Sequence, residues 1–279
     1  MFNFKIDINQ LALRLSCYVV GAGAFGVFTR WMQLQIAYNE EGLPDPGFWN
    51  VAVAAIIIGA MIMFIRKVDE LRNERYYISD NFNEALRNEG RFYGPISWVI
   101  GVMMSLGGFV LLMTCETDPQ AAFLRILALL GVVSGISFPL TVKEANSEEP
   151  RFKRACVLSV APMALFAFWL VTCYKINSIN GVVWDYAVEI ISVCVLLLAF
   201  FYAAGFQFAA PKLWRTSFYC MFGAFLAIMC LADERYFGMQ LMFIAAALML
   251  IYYNWVLLSN LQQKEAPPRV VVQDGFDRL

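Results

Sequence analysis

"CYVVGAGAFGVF", residues 17–28, contains at residues 21–26 the spacing G-x-G-x-x-G, which inside a βαβ unit would cradle a dinucleotide. That chemistry needs a strand feeding the glycines and a polar loop where a pyrophosphate can rest. Here apolar residues continue on both sides, so the glycines lie within one long apolar helix. Small residues in such a helix let backbones approach closely. Ala22 and Gly26, four apart on one face, therefore read as a helix-packing surface, as do Gly107, Gly108, Gly131 and Gly135 in later apolar runs.

The composition of the 279-residue chain sets the same solvent for every other motif. It is 60% hydrophobic and 15% charged, against roughly 45–50% and about 25% in soluble domains. Most of the chain reads as lipid-embedded. A net charge of −1 gives no reason to expect nucleic acid as a partner. Histidine is absent, which excludes His-ligated zinc or haem and any Ser-His or Cys-His catalytic arrangement. The seven cysteines include no C-x-x-C pair and read as free, small hydrophobes, so neither metal nor another cofactor is expected. The acidic pair in "EEPRFKR", residues 148–154, is similar to the paired-glutamate motif of CAAX-type intramembrane proteases, but those also need histidine. With no Walker A sequence either, the chain is expected not to be an enzyme.

A hydrocarbon core of about 30 Å needs roughly 20 apolar residues of helix. Eight runs qualify, at residues 15–35, 48–65, 95–114, 121–142, 155–174, 183–208, 213–231 and 237–258. The expected fold is an all-α, polytopic helical integral membrane protein with eight transmembrane helices. Lys and Arg stay on the cytoplasmic side of short loops. With the N-terminus inside, only Arg30, Arg125, Lys175 and Arg235 of the 21 basic residues fall on the outer side. The expected location is the cell membrane, and that asymmetry leads us to expect both termini on the cytoplasmic side.

Two gapless alignments suggest duplication. "WNVAVAAI" from Trp49 meets "WDYAVEII" from Trp184, and Gly108, Leu111, Cys115 and Asp118 meet Gly223, Leu226, Cys230 and Asp233. Their offsets differ by the difference in length of the intervening inner loops, as two tandem four-helix halves require. The halves are residues 1–149, with an inner helical hairpin at 66–92, and 150–262, followed by a polar tail at 263–279. The hairpin segment carries six basic and six acidic residues, with helix continuing to about Tyr77, resuming through "FNEALRN" and ending at Gly90. The turn-rich outer loop "NEEGLPDPGFWN", residues 39–50, reads as a fixed turn into the second helix.

The halves disagree at their intramembrane charges. Glu189 falls opposite Ala54 and Arg125 opposite Gln240, while Asp185 and Glu189 share a helix face. Ionisable groups near helix ends can snorkel to the interface at little cost, yet those within a span usually pair or face a cavity. Arg30, Arg125, Asp185 and Glu189 are accordingly the expected substrate-binding residues, lining an outward-facing polar vestibule with Arg125 paired to Asp185 or Glu189. Two functions fit: a permease-like or ligand-binding protein, and a non-catalytic accessory or scaffold subunit that docks a partner through 66–92. The partners expected are membrane lipid and either a second copy of the chain or a cytoplasmic protein.

Overall fold

A computed structural model describes residues 8–36, 47–73, 76–79, 81–88, 90, 92–115, 120–148, 151–177 and 183–263. The chain is an all-α polytopic membrane protein. Its helices are α1 (Ile8–Ile36), α2 (Phe48–Asn73), α3 (Phe82–Leu86), α4 (Tyr93–Thr114), α5 (Ala121–Ala145), α6 (Phe152–Asn177), α7 (Val183–Ala204), α8 (Leu213–Met229) and α9 (Phe237–Ser259). Among the described residues eight of these, all but the five-residue α3, are long and apolar enough to cross a bilayer. In hydrocarbon the backbone must satisfy its own hydrogen bonds, which is why each apolar run closes into helix. The outward faces stay apolar, with Phe25, Phe28, Val99, Leu106 and Val133 exposed, because lipid rather than water covers them.

The two most buried spans, α8 and α9, form the centre. α1 packs on both and α2 on α8, α4 packs on α9, and α5, α6, α7 and α8 follow one another around the remaining side. Thus the α1–α2 and α4–α5 pairs of residues 1–149 are held together mainly through α8 and α9. Small residues allow the closest crossings. A methyl added at Gly107 would lie 2.8 Å from the Gly238 carbonyl oxygen, and one at Gly108 would lie 2.5 Å from the Ala128 carbonyl oxygen. Gly131 meets Met242, and Gly135 meets Gly101 and Ser105. On α1 the tightest contact is Gly23 against Ile228. Gly26 rests on Phe225 and Met229, and Ala22 lies half-buried beside them.

Two opposite faces result. The first gathers the ends of α2, α5, α7 and α9 with the starts of α4, α6 and α8, and we call it the basic face. Here segment 66–92 departs from the expected helical hairpin. Helix α2 ends at Asn73, and β1 (Tyr76–Tyr77) pairs antiparallel with β2 (Gln262–Gln263), Tyr76 opposite Gln263. α3 is confined to 82–86 because Asn260 Nδ2 donates to the carbonyls of both Ala85 (2.9 Å) and Arg87 (2.7 Å). Phe82, Ala85 and Leu86 are buried, so the segment is folded onto α5 and α9. After α7, Ala210 N–H donates to the Gly205 carbonyl at 2.8 Å, which places Ala209 in the left-handed region at φ 52°. Most of the loop at 39–50 and the tail beyond Gln263 lie outside the described residues.

Candidate functional site

The opposite face collects the chemistry. The buried stripe of α1, Val19, Gly23, Gly26, Arg30 and Gln33, advances by three and four residues, so all five face inward. Because the glycines bring α1 against Phe225, Ile228 and Met229, Arg30 reaches the end of α8. There α8 tightens into a 3-10 turn at Cys230–Ala232, and Asp233 follows in extended conformation. Arg30 Nε donates to Asp233 Oδ1 at 2.8 Å across 203 residues of sequence. Arg30 Nη1 also donates to Gln33 Oε1 at 2.6 Å, and Gln33 Nε2 donates to Asn50 Oδ1 of α2, also at 2.6 Å.

The chain of contacts continues through Arg235. Its guanidinium pairs with Asp233 Oδ2 at 3.4 Å and with Glu189 Oε2 of α7 at 2.6 Å. Trp169 of α6 donates from Nε1 to Glu189 Oε1 at 2.9 Å. That indole is fixed by stacking on Phe166 and by a ring contact with Phe243 at 4.6 Å. Gln240 of α9 donates to the Asp233 carbonyl at 3.2 Å. Five of the eight spans and the α8–α9 loop are therefore joined by one polar network.

Among the described residues the network holds two positive and two negative charges. Side-chain exposure is 0% for Arg30, 5% for Asp233, 1% for Glu189 and 16% for Arg235. An isolated charge at the bilayer centre costs about 2.5–3.5 kcal/mol on insertion scales, and pairing with hydrogen bonds offsets that cost. For Arg235, in the loop, burial pulls the pKa down, but Glu189 and Asp233 more than compensate and hold it above its ordinary value. It stays cationic at any working pH.

Two cavities open beside the network. One, of about 650 Å³, reaches Glu189 between α6 and α9 and is walled by Leu124, Thr172 and Tyr236. The other, of about 710 Å³, reaches Asp233 from the side of Trp31 and Gln35. They share Asn177, Glu234, Arg235 and Gln240 as lining residues and so form one vestibule with two lobes. Arg235 sits where the lobes meet, with a carboxylate partner toward each. Its Nε is buried and has no hydrogen-bond partner among the described residues.

Of the residues expected at such a site, Arg30 and Glu189 belong to the network. Arg30 is enclosed behind it, whereas Glu189 lines a lobe. Arg125 is exposed on α5 and has no ion pair among the described residues, so Glu189 is paired with Arg235 instead. Asp185 belongs to α7, but its side chain lies outside the described residues. Sequence reasoning missed Asp233, Arg235, Gln33, Asn50 and Trp169. Asp233 had surfaced only as a match to Asp118, and Arg235 only as an outer cation. The spacing of Asp233 and Arg235, opposite charges two apart in a short loop between spans, was the available signal. Compared with family models, with curated proteins and with solved structures, the chain matches none.

Proposed function

We propose that this protein is a membrane-embedded binding or permease-like protein of the cell membrane, with its basic face and both termini cytoplasmic, whose two-lobed vestibule receives a small polar solute from outside. The observation that carries the reading is Arg235, a cation shared by two buried carboxylates at the junction of both lobes. A pure packing network would have no need of adjoining volume. A solute bearing a negative group can compete with Glu189 or Asp233 for Arg235, and one bearing a positive group can take the carboxylate so released. Exchange of partners within a charge-balanced cluster avoids leaving any charge bare, which is the main cost of moving ions in a dry site. The role of the site is binding and gating, without bond making.

The competing reading is an accessory subunit that docks a cytoplasmic partner through 66–92. It is favoured by the charged end of α2, where Arg66, Asp69, Glu70 and Arg72 are exposed. The two readings separate in one experiment. In a chain freed of its native cysteines, Asn177→Cys and Gln240→Cys should react with a membrane-impermeant maleimide, while Val133→Cys on the lipid face should not. Native mass spectrometry of gently extracted protein should then show a small-molecule adduct that is lost in Glu189→Gln and kept in Arg125→Ala. Silence at both vestibule positions, with a protein adduct that disappears on altering 66–72, would make this a scaffold.

A further inference from the structure

The basic face has a cavity of its own, independent of the vestibule. It measures about 540 Å³ and lies between the end of α2, strand β1 and the first turn of α8, with Arg72, Lys212 and Arg215 on its walls beside Tyr76, Tyr77 and Trp214. Among the described residues no carboxylate lines it. Elsewhere on this face Arg154 pairs with Glu144 at 3.1 Å and Lys67 with Glu70 at 2.8 Å. Arg72, Lys212 and Arg215 have no such pair among the described residues. Three like charges converging on one hollow repel one another unless an anion joins them.

Lys212 also lines a second, apolar hollow of about 340 Å³, walled by Met163, Phe201, Tyr202 and Phe208 between α6 and the turn after α7. The cationic and apolar hollows thus meet at one residue. Trp and Tyr side chains mark headgroup depth in membrane proteins, and here Tyr76, Tyr77 and Trp214 line the cationic hollow and Tyr202 the apolar one. Guanidinium groups match phosphate oxygens as planar forks. The first turn of α8 adds backbone N–H groups to the same spot, since its N-cap, Lys212, makes no capping bond through its side chain.

We propose that this paired hollow is a binding site for an anionic glycerophospholipid of the adjoining leaflet, its phosphate held by Arg72, Lys212 and Arg215 and one acyl chain laid in the groove beside Phe208. The apolar hollow is what selects a lipid over a free phosphate: a soluble anion would fill only the cationic half.

The test uses the full-length protein in detergent micelles, titrated with dioleoyl phosphatidylglycerol, dioleoyl phosphatidylcholine or inorganic phosphate, and reads retained lipid by native mass spectrometry. Phosphatidylglycerol should be held about tenfold or more tightly over phosphatidylcholine, since each surface cation adds to attraction for anionic lipid. The triple change Arg72→Gln, Lys212→Gln and Arg215→Gln should abolish that preference, whereas Lys212→Arg should keep it. Ala210→Trp, which fills the groove from an exposed position, should weaken retention of both lipids. Charge removal at Arg151→Gln with Lys153→Gln should leave the preference unchanged. Should that control erase the preference equally, the attraction is diffuse and the site does not exist. Should millimolar inorganic phosphate displace the lipid, the site is one for a free anion. Equal retention of both lipids by the unaltered protein would also overturn the proposal.

Discussion

Replacing Asp233 by Asn isolates the energetic logic of the network. Asp233 accepts from Arg30 at 2.8 Å and pairs with Arg235 at 3.4 Å. Arg235 keeps Glu189 after the change, but Arg30 is fully buried and loses the carboxylate of Asp233. Breaking a buried pair by removing one partner costs about 3–5 kcal/mol. At about 2–4 °C per kcal/mol for a domain of this size, the midpoint of thermal unfolding in detergent should fall by about 6–20 °C. Removing both charges, as Arg30→Met with Asp233→Asn, leaves Arg235 and Glu189 as a one-to-one pair and should restore most of the loss, because a buried pair is often worth little net against apolar replacements. The assay is a double-mutant cycle on unfolding midpoints. If the single change costs under about 1 kcal/mol, below the range for a broken buried pair, or the double variant is as impaired as the sum of the singles, Arg30 is not held by Asp233 and the reasoning fails.

Trp169→Phe keeps the ring contacts with Phe166 and Phe243 but removes the hydrogen bond to Glu189, and should cost about 1.5–3 kcal/mol in the same unfolding assay. Gly107→Ala should destabilise by about 1–3 kcal/mol by pushing α4 from α9, since the added methyl meets the Gly238 carbonyl and Met242. Gly21→Ala, where nothing lies within 4 Å, should instead be neutral or stabilising by up to about 1 kcal/mol. A comparable loss at both glycines would show that close packing is not what Gly107 provides. Ala209→Gly should stabilise modestly, by about 0.5–1 kcal/mol, because only glycine occupies φ 52° without a Cβ penalty.

The fold was legible because lipid makes the hydrophobic signal nearly one-dimensional. The observed helix bounds depart from the expected spans by only a few residues at most ends. The larger departures have local causes: α1 starts earlier and α2 runs to Asn73 because amphipathic turns extend helices past the apolar run, and α7 ends at Ala204 where the left-handed turn takes over. The site was half legible. Arg30 and Glu189 stand out as charges inside apolar runs, which is a property of their own neighbourhoods. Their partners do not, since Asp233 and Arg235 occupy a loop where charge is ordinary. Only the crossing of α1 over α8, set by Gly23 and Gly26, brings that loop to Arg30. Its place inside an apolar run made Arg125 a candidate partner for Glu189, but the run says nothing of azimuth, and α5 turns Arg125 outward.

The span of the Arg30–Asp233 bond has a bearing on how the protein is made. Arg30 enters the membrane with the first helix, and its carboxylate is 203 residues behind it. At about 5–20 residues per second of synthesis, the gap is roughly 10–40 s. Through that interval α1 lacks that carboxylate, while Gln33 of the same helix accepts from the guanidinium. The last quarter of the chain thus completes the setting of the first, and a chain that stops before Asp233 lacks the carboxylate that meets Arg30.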